Sequence, residues 1–204
     1  MKRNAKKQFA SRIVISATAL SILATGAVAF GAASAWALGN AGPSAMLRIL
    51  AAPAREADKL PTDNDGRPYF EGSGLIYESA RYLGANRNAI FWVAVNERNH
   101  VCLVEILTST GDSAMSCVTA EQFGTSGVSS SLTSTRDDGE VSYVEAYLVP
   151  DSLRFADVVS GLERVTDYLV AGDSRGEHGS LTASTHNGDA RLAVHLLVGQ
   201  PKVD

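Results

Sequence analysis

The stretch His100-Val101-Cys102-Leu103-Val104-Glu105-Ile106-Leu107-Thr108-Ser109-Thr110-Gly111-Asp112-Ser113-Ala114-Met115-Ser116-Cys117-Val118 decides the fold. Residues 100–107 are rich in β-branched and aliphatic types and read as a strand; 108–111 carry turn residues; 112–118 read as the returning strand. If the chain folds back around Ser109-Thr110, Val104 faces Met115, Ile106 faces Ser113 and Cys102 faces Cys117. This register gathers a mostly apolar face on one side of the hairpin. It also puts the only two cysteines of the chain on directly opposed residues, whose Cβ atoms reach bridging distance in a non-hydrogen-bonded pair. A disulfide between Cys102 and Cys117 is therefore predicted in preference to two buried thiols. No C-x-x-C spacing is present to depress a thiol pKa, so a redox role is not expected.

Outward from this hairpin the strand signals continue. Residues 89–95 (Ala-Ile-Phe-Trp-Val-Ala-Val) form the preceding strand, with Asn96-Glu97-Arg98-Asn99 as the turn. Phe91 and Trp92 point to opposite faces, so at least one belongs to the core and the other is either covered or a recognition aromatic. Asp138-Gly139 separates strands 128–134 and 140–148, and Asn187-Gly188 separates strands 181–185 and 190–198. Both dipeptides tolerate the positive φ that tight hairpin turns require. Thr119-Ala120-Glu121-Gln122 has the spacing of a capping box, with Gly124 as the stop of a short helix. Residues 151–165 stay ambiguous: Asp151 could cap a helix carrying Leu153, Val158 and Leu162, but Gly161 weakens it, and 165–170 read as a strand. The fold class is mainly β: an antiparallel β-meander, closing into a small sandwich or partial barrel with one or two short helices.

The beginning of the chain supplies an address. Lys2, Arg3, Lys6, Lys7 and Arg12 precede a run from Ile13 to Leu47 without a charged residue. Spanning a bilayer takes about 20 apolar residues, and flanking positive charge stays cytoplasmic. The expected organisation is a basic cytoplasmic head (1–12), a transmembrane helix or signal anchor (13–38), a juxtamembrane tether or short helix outside the main core (39–74) and an extracytoplasmic β-rich domain (75–204). The alternative is a secreted chain after signal cleavage, for which Ala27-Val28-Ala29, Ala33-Ser34-Ala35 and Ala35-Trp36-Ala37 are small-x-small sites. The net charge is −4 although five positive charges sit in the head, so the rest of the chain is strongly acidic. Such a domain has no electrostatic attraction to nucleic acid, and no nucleic-acid partner is expected.

Candidate chemistry is sparse. Gly172-Asp173-Ser174-Arg175-Gly176 matches G-x-S-x-G, the turn that exposes a nucleophilic serine in α/β-hydrolases. Ser174 is thus the candidate catalytic residue, with Asp189 and His195 as possible partners in chain order. Against it, Glu177-His178-Gly179-Ser180 does not begin an apolar-periodic helix, and a hairpin at Asn187-Gly188 would hold Asp189 and His195 apart. Asp63-Asn64-Asp65-Gly66 resembles a calcium loop, but an EF-hand aligned on Gly66 needs an acid at 61 and a glutamate at 72, where this chain has Pro61 and Gly72. A turn in which Asp63 bonds its own backbone is preferred, with weak metal binding by Asp63 and Asp65 as the alternative. His100, His178, His186 and His195 have no zincin spacing. No cofactor is expected.

Several blocks also carry a resemblance: Leu47-Arg48-Ile49-Leu50 with Pro53 and Asp58-Lys59-Leu60-Pro61, then Ser79-Ala80-Arg81-Tyr82-Leu83-Gly84, Phe91-Trp92, Val101-Cys102-Leu103-Val104, Ser116-Cys117 with Phe123, and Glu145-Ala146-Tyr147-Leu148-Val149-Pro150. Over most of the exported part the chain resembles a group of membrane-anchored extracytoplasmic proteins of actinobacteria. The resemblance implies the retained anchor and supports the Cys102–Cys117 bridge. It implies no activity. The functional expectation is a non-enzymatic interaction or structural module of the cell envelope, with the membrane and an unidentified envelope component as partners. The alternatives are an envelope sensor of a small molecule or ion, using the loops at 63–65 or 172–176, and a small serine hydrolase built on Ser174.

Overall fold

The structure is a computed structural model that describes residues 42–63, 65–175, 180–185, 188 and 191–195. The basic head and the charge-free run through residue 41 lie outside them, as do His178, His186, Asn187 and Asp189. Among the described residues no helix is long and apolar enough to cross a membrane.

The chain is mainly β, built as three antiparallel sheets. Strands β1 (Leu75–Ala85), β2 (Ala89–Asn96), β3 (Val101–Leu107) and β4 (Ser113–Val118) pair in chain order. The second sheet runs β5-β6-β9-β8, from β5 (Val128–Thr135), β6 (Val141–Leu148), β8 (Leu162–Thr166) and β9 (Leu169–Gly172). The third runs β11-β10-β7, from β7 (Arg154–Phe155), β10 (Ser180–Ser184) and β11 (Arg191–His195).

The β3–β4 register is the predicted one: Cys102 opposes Cys117, Val104 opposes Met115 and Ile106 opposes Ser113. The two sulfurs are bonded, across Cα atoms 4.0 Å apart. Removing the bridge (Cys102→Ala with Cys117→Ala) is expected to destabilise the protein by about 3 kcal/mol, the value for closing a loop of roughly 15 residues. Urea unfolding of the variant, with non-reducing peptide mapping of the parent, checks both the bond and its contribution; a bridge absent from the parent would refute the pairing.

The second sheet lies in the middle, with a core on each face. Toward the first sheet, Val144, Ala146, Leu148, Leu169 and Ala171 pack with Phe91, Val93, Val101, Leu103 and Leu107. Toward the third, Tyr147, Val149 and Val170 pack with Phe155, Leu181, Ala183 and Val194. A strand buried on both faces reads as a continuous apolar run rather than an alternation, as in Leu169-Val170-Ala171. The outer face of the first sheet is covered as well: Trp92, Cys102 and Val104 pack with Leu60, Tyr69 and Phe70 from the segment before β1. Phe91 and Trp92 are therefore both buried, and Trp92 packs edge-on against Tyr82.

Three expectations are corrected and one open reading is resolved. The segment before β1 is not outside the core. Helix α1 (Pro43–Met46) and 3-10 turns at Arg48–Ala51 and Glu56–Asp58 bring Met46 and Leu47 into the main cluster at 1% and 0% exposure. The segment is held there because Asp151 accepts from the Arg48 main chain at 2.8 Å and its own N–H bonds the Met46 carbonyl at 3.0 Å. Residues 151–165 accordingly form no helix: the Asp151 carboxylate satisfies a distant N–H instead of a local helix end. Residues 165–170 are not one strand but the tip of the β8–β9 hairpin, where Thr166 opposes Leu169. Helix α2 (Ala120–Ser126) has the predicted capping box, with Thr119 accepting from Gln122 N–H and Gln122 from Thr119 N–H, both at 3.1 Å. It ends at Gly127 rather than Gly124. Gly127 takes φ +67 against the Leu148 carbonyl, where a β-carbon has no room.

Candidate functional site

Alternation along β6 puts Tyr143, Glu145 and Tyr147 on the face toward the third sheet. Glu145 opposes Gly172 of β9, and just beyond that glycine the chain turns inward. Asp173 donates its N–H to the Gly161 carbonyl at 2.8 Å, and Ser174 comes to lie over Glu145 at 3% exposure. The Ser174 N–H bonds Glu145 Oε1 at 3.1 Å, and the Ser174 hydroxyl donates to the same oxygen. Tyr147 donates to Oε2 at 2.6 Å, and Tyr143 reaches it at 3.5 Å. A carboxylate that is fully buried needs such donors to replace water, and here the surrounding residues supply them on both oxygens.

Arg175 closes the outer side. It binds Asp173 with Nε and Nη2 at 2.9 and 2.7 Å, and its guanidinium lies 4.9 Å from the centre of the Tyr143 ring. Burial, with the Glu145 charge adding to it, pushes the Tyr143 hydroxyl well above its ordinary value, so it stays protonated and serves as a donor.

Across the second sheet, on the side of the first, lies another buried acid. Glu105 of β3 has 0% exposure. Ser130 donates to its Oε1 at 2.8 Å, while Oε2 has no partner among the described residues. Burial pushes its carboxyl up to about 8, opposed by the Ser130 bond and reinforced by the Glu145 charge. At neutral pH it is therefore predominantly the uncharged acid.

A third polar group ties the segment before β1 to the sheet. Asp58 is 2% exposed and accepts from Arg55 N–H at 2.7 Å, from Arg55 Nη2 at 2.9 Å and from Tyr82 N–H at 3.0 Å. The Arg55 side chain holds it well below the usual carboxylate range, against the opposing effect of burial. Arg81, 7% exposed, donates to the carbonyls of Ala52, Glu78 and Ala80. It is placed by an irregularity in β1. Ile76 opposes Val95 and Arg81 opposes Val93, and within the excursion between them the Ser79 hydroxyl accepts the Val95 N–H at 2.8 Å.

The predicted site residues have these fates. Cys102 and Cys117 are bridged. Ser174 lies in a buried cluster with its hydroxyl on Glu145. The backbone of His195 opposes Ser180 at the end of the β10–β11 pairing, and Asp189 lies outside the described residues, so the proposed triad is not assembled among them. Asp63 accepts from the N–H groups of Asp65 and Arg67 at 2.9 and 2.8 Å, which is the Asx-type turn. Asp65 pairs with the Arg67 side chain at 2.6 Å, so both carboxylates are engaged within the turn itself. Among the described residues no three potential metal ligands converge.

Sequence reasoning passed over Glu105, Glu145, Asp58 and Arg81. The available signal was a lone glutamate inside an apolar strand, Leu103-Val104-Glu105-Ile106 and Tyr143-Val144-Glu145-Ala146. A carboxylate at a position buried on both sides of a sheet demands a polar partner in the core. No protein-family model, curated protein or solved structure matches the chain.

Proposed function

We propose that this chain is a non-enzymatic interaction or structural module of the cell envelope, a β-sandwich held outside the membrane by the apolar run at 13–38. The observation that carries the reading is the state of Ser174. Its hydroxyl is buried and already donates to a carboxylate, where a nucleophile needs an open approach and a base that can pass the proton on to the leaving group. The first glycine of the G-x-S-x-G sequence has a packing role instead: at Gly172 a β-carbon would meet the Gly161 carbonyl and lie 2.9 Å from the Leu162 Cα. The disulfide is in keeping with an oxidising compartment.

The reading is tested in two steps. A fluorophosphonate probe is expected to label the parent no more than Ser174→Ala; serine-dependent labelling would establish a hydrolase in its place. Crosslinking in intact cells from exposed positions of the domain is then expected to enrich an envelope component. Recovery of cytoplasmic proteins alone would refute the location.

A further inference from the structure

Where the 3-10 turns at Arg48–Ala51 and Glu56–Asp58 cross the irregular part of β1, they leave a cleft of about 390 Å³ lined by Ile49, Ala52, Pro53, Arg55, Asp58 and Arg81. This is within the size range of small-molecule sites, roughly 300–1,000 Å³. Ile49, Ala52 and Pro53 give it apolar walls. The charges in its lining do not balance. Arg55 is matched by Asp58 at 2.9 Å, which leaves Arg81. Its four hydrogen bonds all run to neutral main-chain carbonyls, at 2.7–3.1 Å, and among the described residues no carboxylate lies within ion-pair distance of it.

A buried guanidinium ordinarily has an anionic partner, because removing an uncompensated charge from water is costly. Here the carbonyls orient Arg81 and fix its plane, and among the described residues one of its roughly five N–H groups stays unbonded. We propose that this cleft binds a small organic anion, its acidic group on Arg81 and a short apolar body against Ile49, Ala52 and Pro53. The chain as a whole is acidic, with a net charge of −4. The local excess of one positive charge therefore distinguishes this place from the rest of the surface and selects against cations.

Three probes with the same body and different charge test the proposal: benzoate, benzyl alcohol and benzylammonium, titrated into the full chain in a neutral detergent. Carbon-proton shifts of the Ile49 methyl groups give the readout. Benzoate is expected to saturate with a Kd at least tenfold lower than either of the others, and acetate, which has the acidic group without the body, to bind at least tenfold more weakly than benzoate. Ala52→Trp, at an exposed position whose carbonyl is unchanged, fills the cleft and is expected to abolish the benzoate shift with the melting temperature kept. Arg81→Gln is expected to erase the preference for benzoate over benzyl alcohol, and Arg81→Lys to restore part of it. Should Arg81→Gln fail to fold, the ranking of the probes and Ala52→Trp decide the matter alone. No saturable benzoate shift, equal affinity for the three probes, tighter binding of benzylammonium, or unchanged binding in Ala52→Trp would each overturn the proposal.

Discussion

Between pH 4.5 and 8 the protein is expected to lose stability as the pH rises, and Glu105→Gln is expected to remove most of that loss. In the unfolded chain Glu105 ionises near 4.5, while in the folded core it holds its proton up to about 8. Within that window the folded state binds more protons than the unfolded state, so raising the pH favours unfolding. The stabilisation is complete below the unfolded value and gone above the folded one. At about 1.4 kcal/mol for each pKa unit, the full swing is on the order of 5 kcal/mol. Glutamine keeps an oxygen for Ser130 and has no proton to lose. The variant should therefore be slightly less stable than the parent at pH 5, since an amide N–H replaces Oε2, and more stable by roughly 3 kcal/mol at pH 9. Asp58 works in the opposite sense: its depressed carboxyl contributes stability above the ordinary carboxylate range, lost as the pH falls. Urea midpoints taken across the pH range for both proteins give the comparison, and parallel profiles would refute the burial of an uncharged acid at Glu105.

Gly172→Ala is expected to be strongly destabilising although it adds a single methyl group. The added carbon would lie 2.9 Å from the Leu162 Cα and closer still to the Gly161 carbonyl. Both obstacles are main chain, so relief requires separating the β8 end from β9, and with it the Asp173 to Gly161 hydrogen bond that delivers Ser174 to Glu145. Overpacking of this kind costs about 3 kcal/mol or more. Gly139→Ala is the control. Gly139 has φ +88 but nothing within 4 Å of an added β-carbon, so only the conformational term of about 1 kcal/mol applies. Thermal or urea unfolding of the two variants side by side separates contact from conformation. Equal losses would show that the approach of the two chains at Gly172 is not tight.

Much of the first sheet was legible because its signals are local. The β3–β4 register follows from the cysteine pair and the turn between them, and the α2 capping box from two side chains three residues apart. The Asp138-Gly139 turn is also where the sequence places it, with Arg136 accepting from Gly139 N–H at 2.9 Å and Glu140 from Arg136 N–H at 2.8 Å. The β8–β9 turn was hidden because Thr166-Asp167-Tyr168-Leu169 contains neither glycine nor proline. Burial of Met46 and Leu47 was hidden for another reason. Pro43 and Pro53 break the helical period on either side, and the partners that cover the two residues come from strands far along the chain. The buried acids were hidden because a glutamate is normally exposed, and only the finding that the second sheet has a layer on each side makes the interior position of Glu145 inevitable.

The burial of Met46 and Leu47 has a consequence for how the domain is displayed. Four residues, 39–42, separate the apolar run ending at Leu38 from Pro43, where the folded body begins. Even fully extended they reach ~14 Å, at ~3.5 Å for each residue. With the run in a bilayer, so short a leash leaves the domain no room to swing away or turn over. Under the proposed anchoring, the domain would stand against the lipid surface, tethered from the side that carries α1.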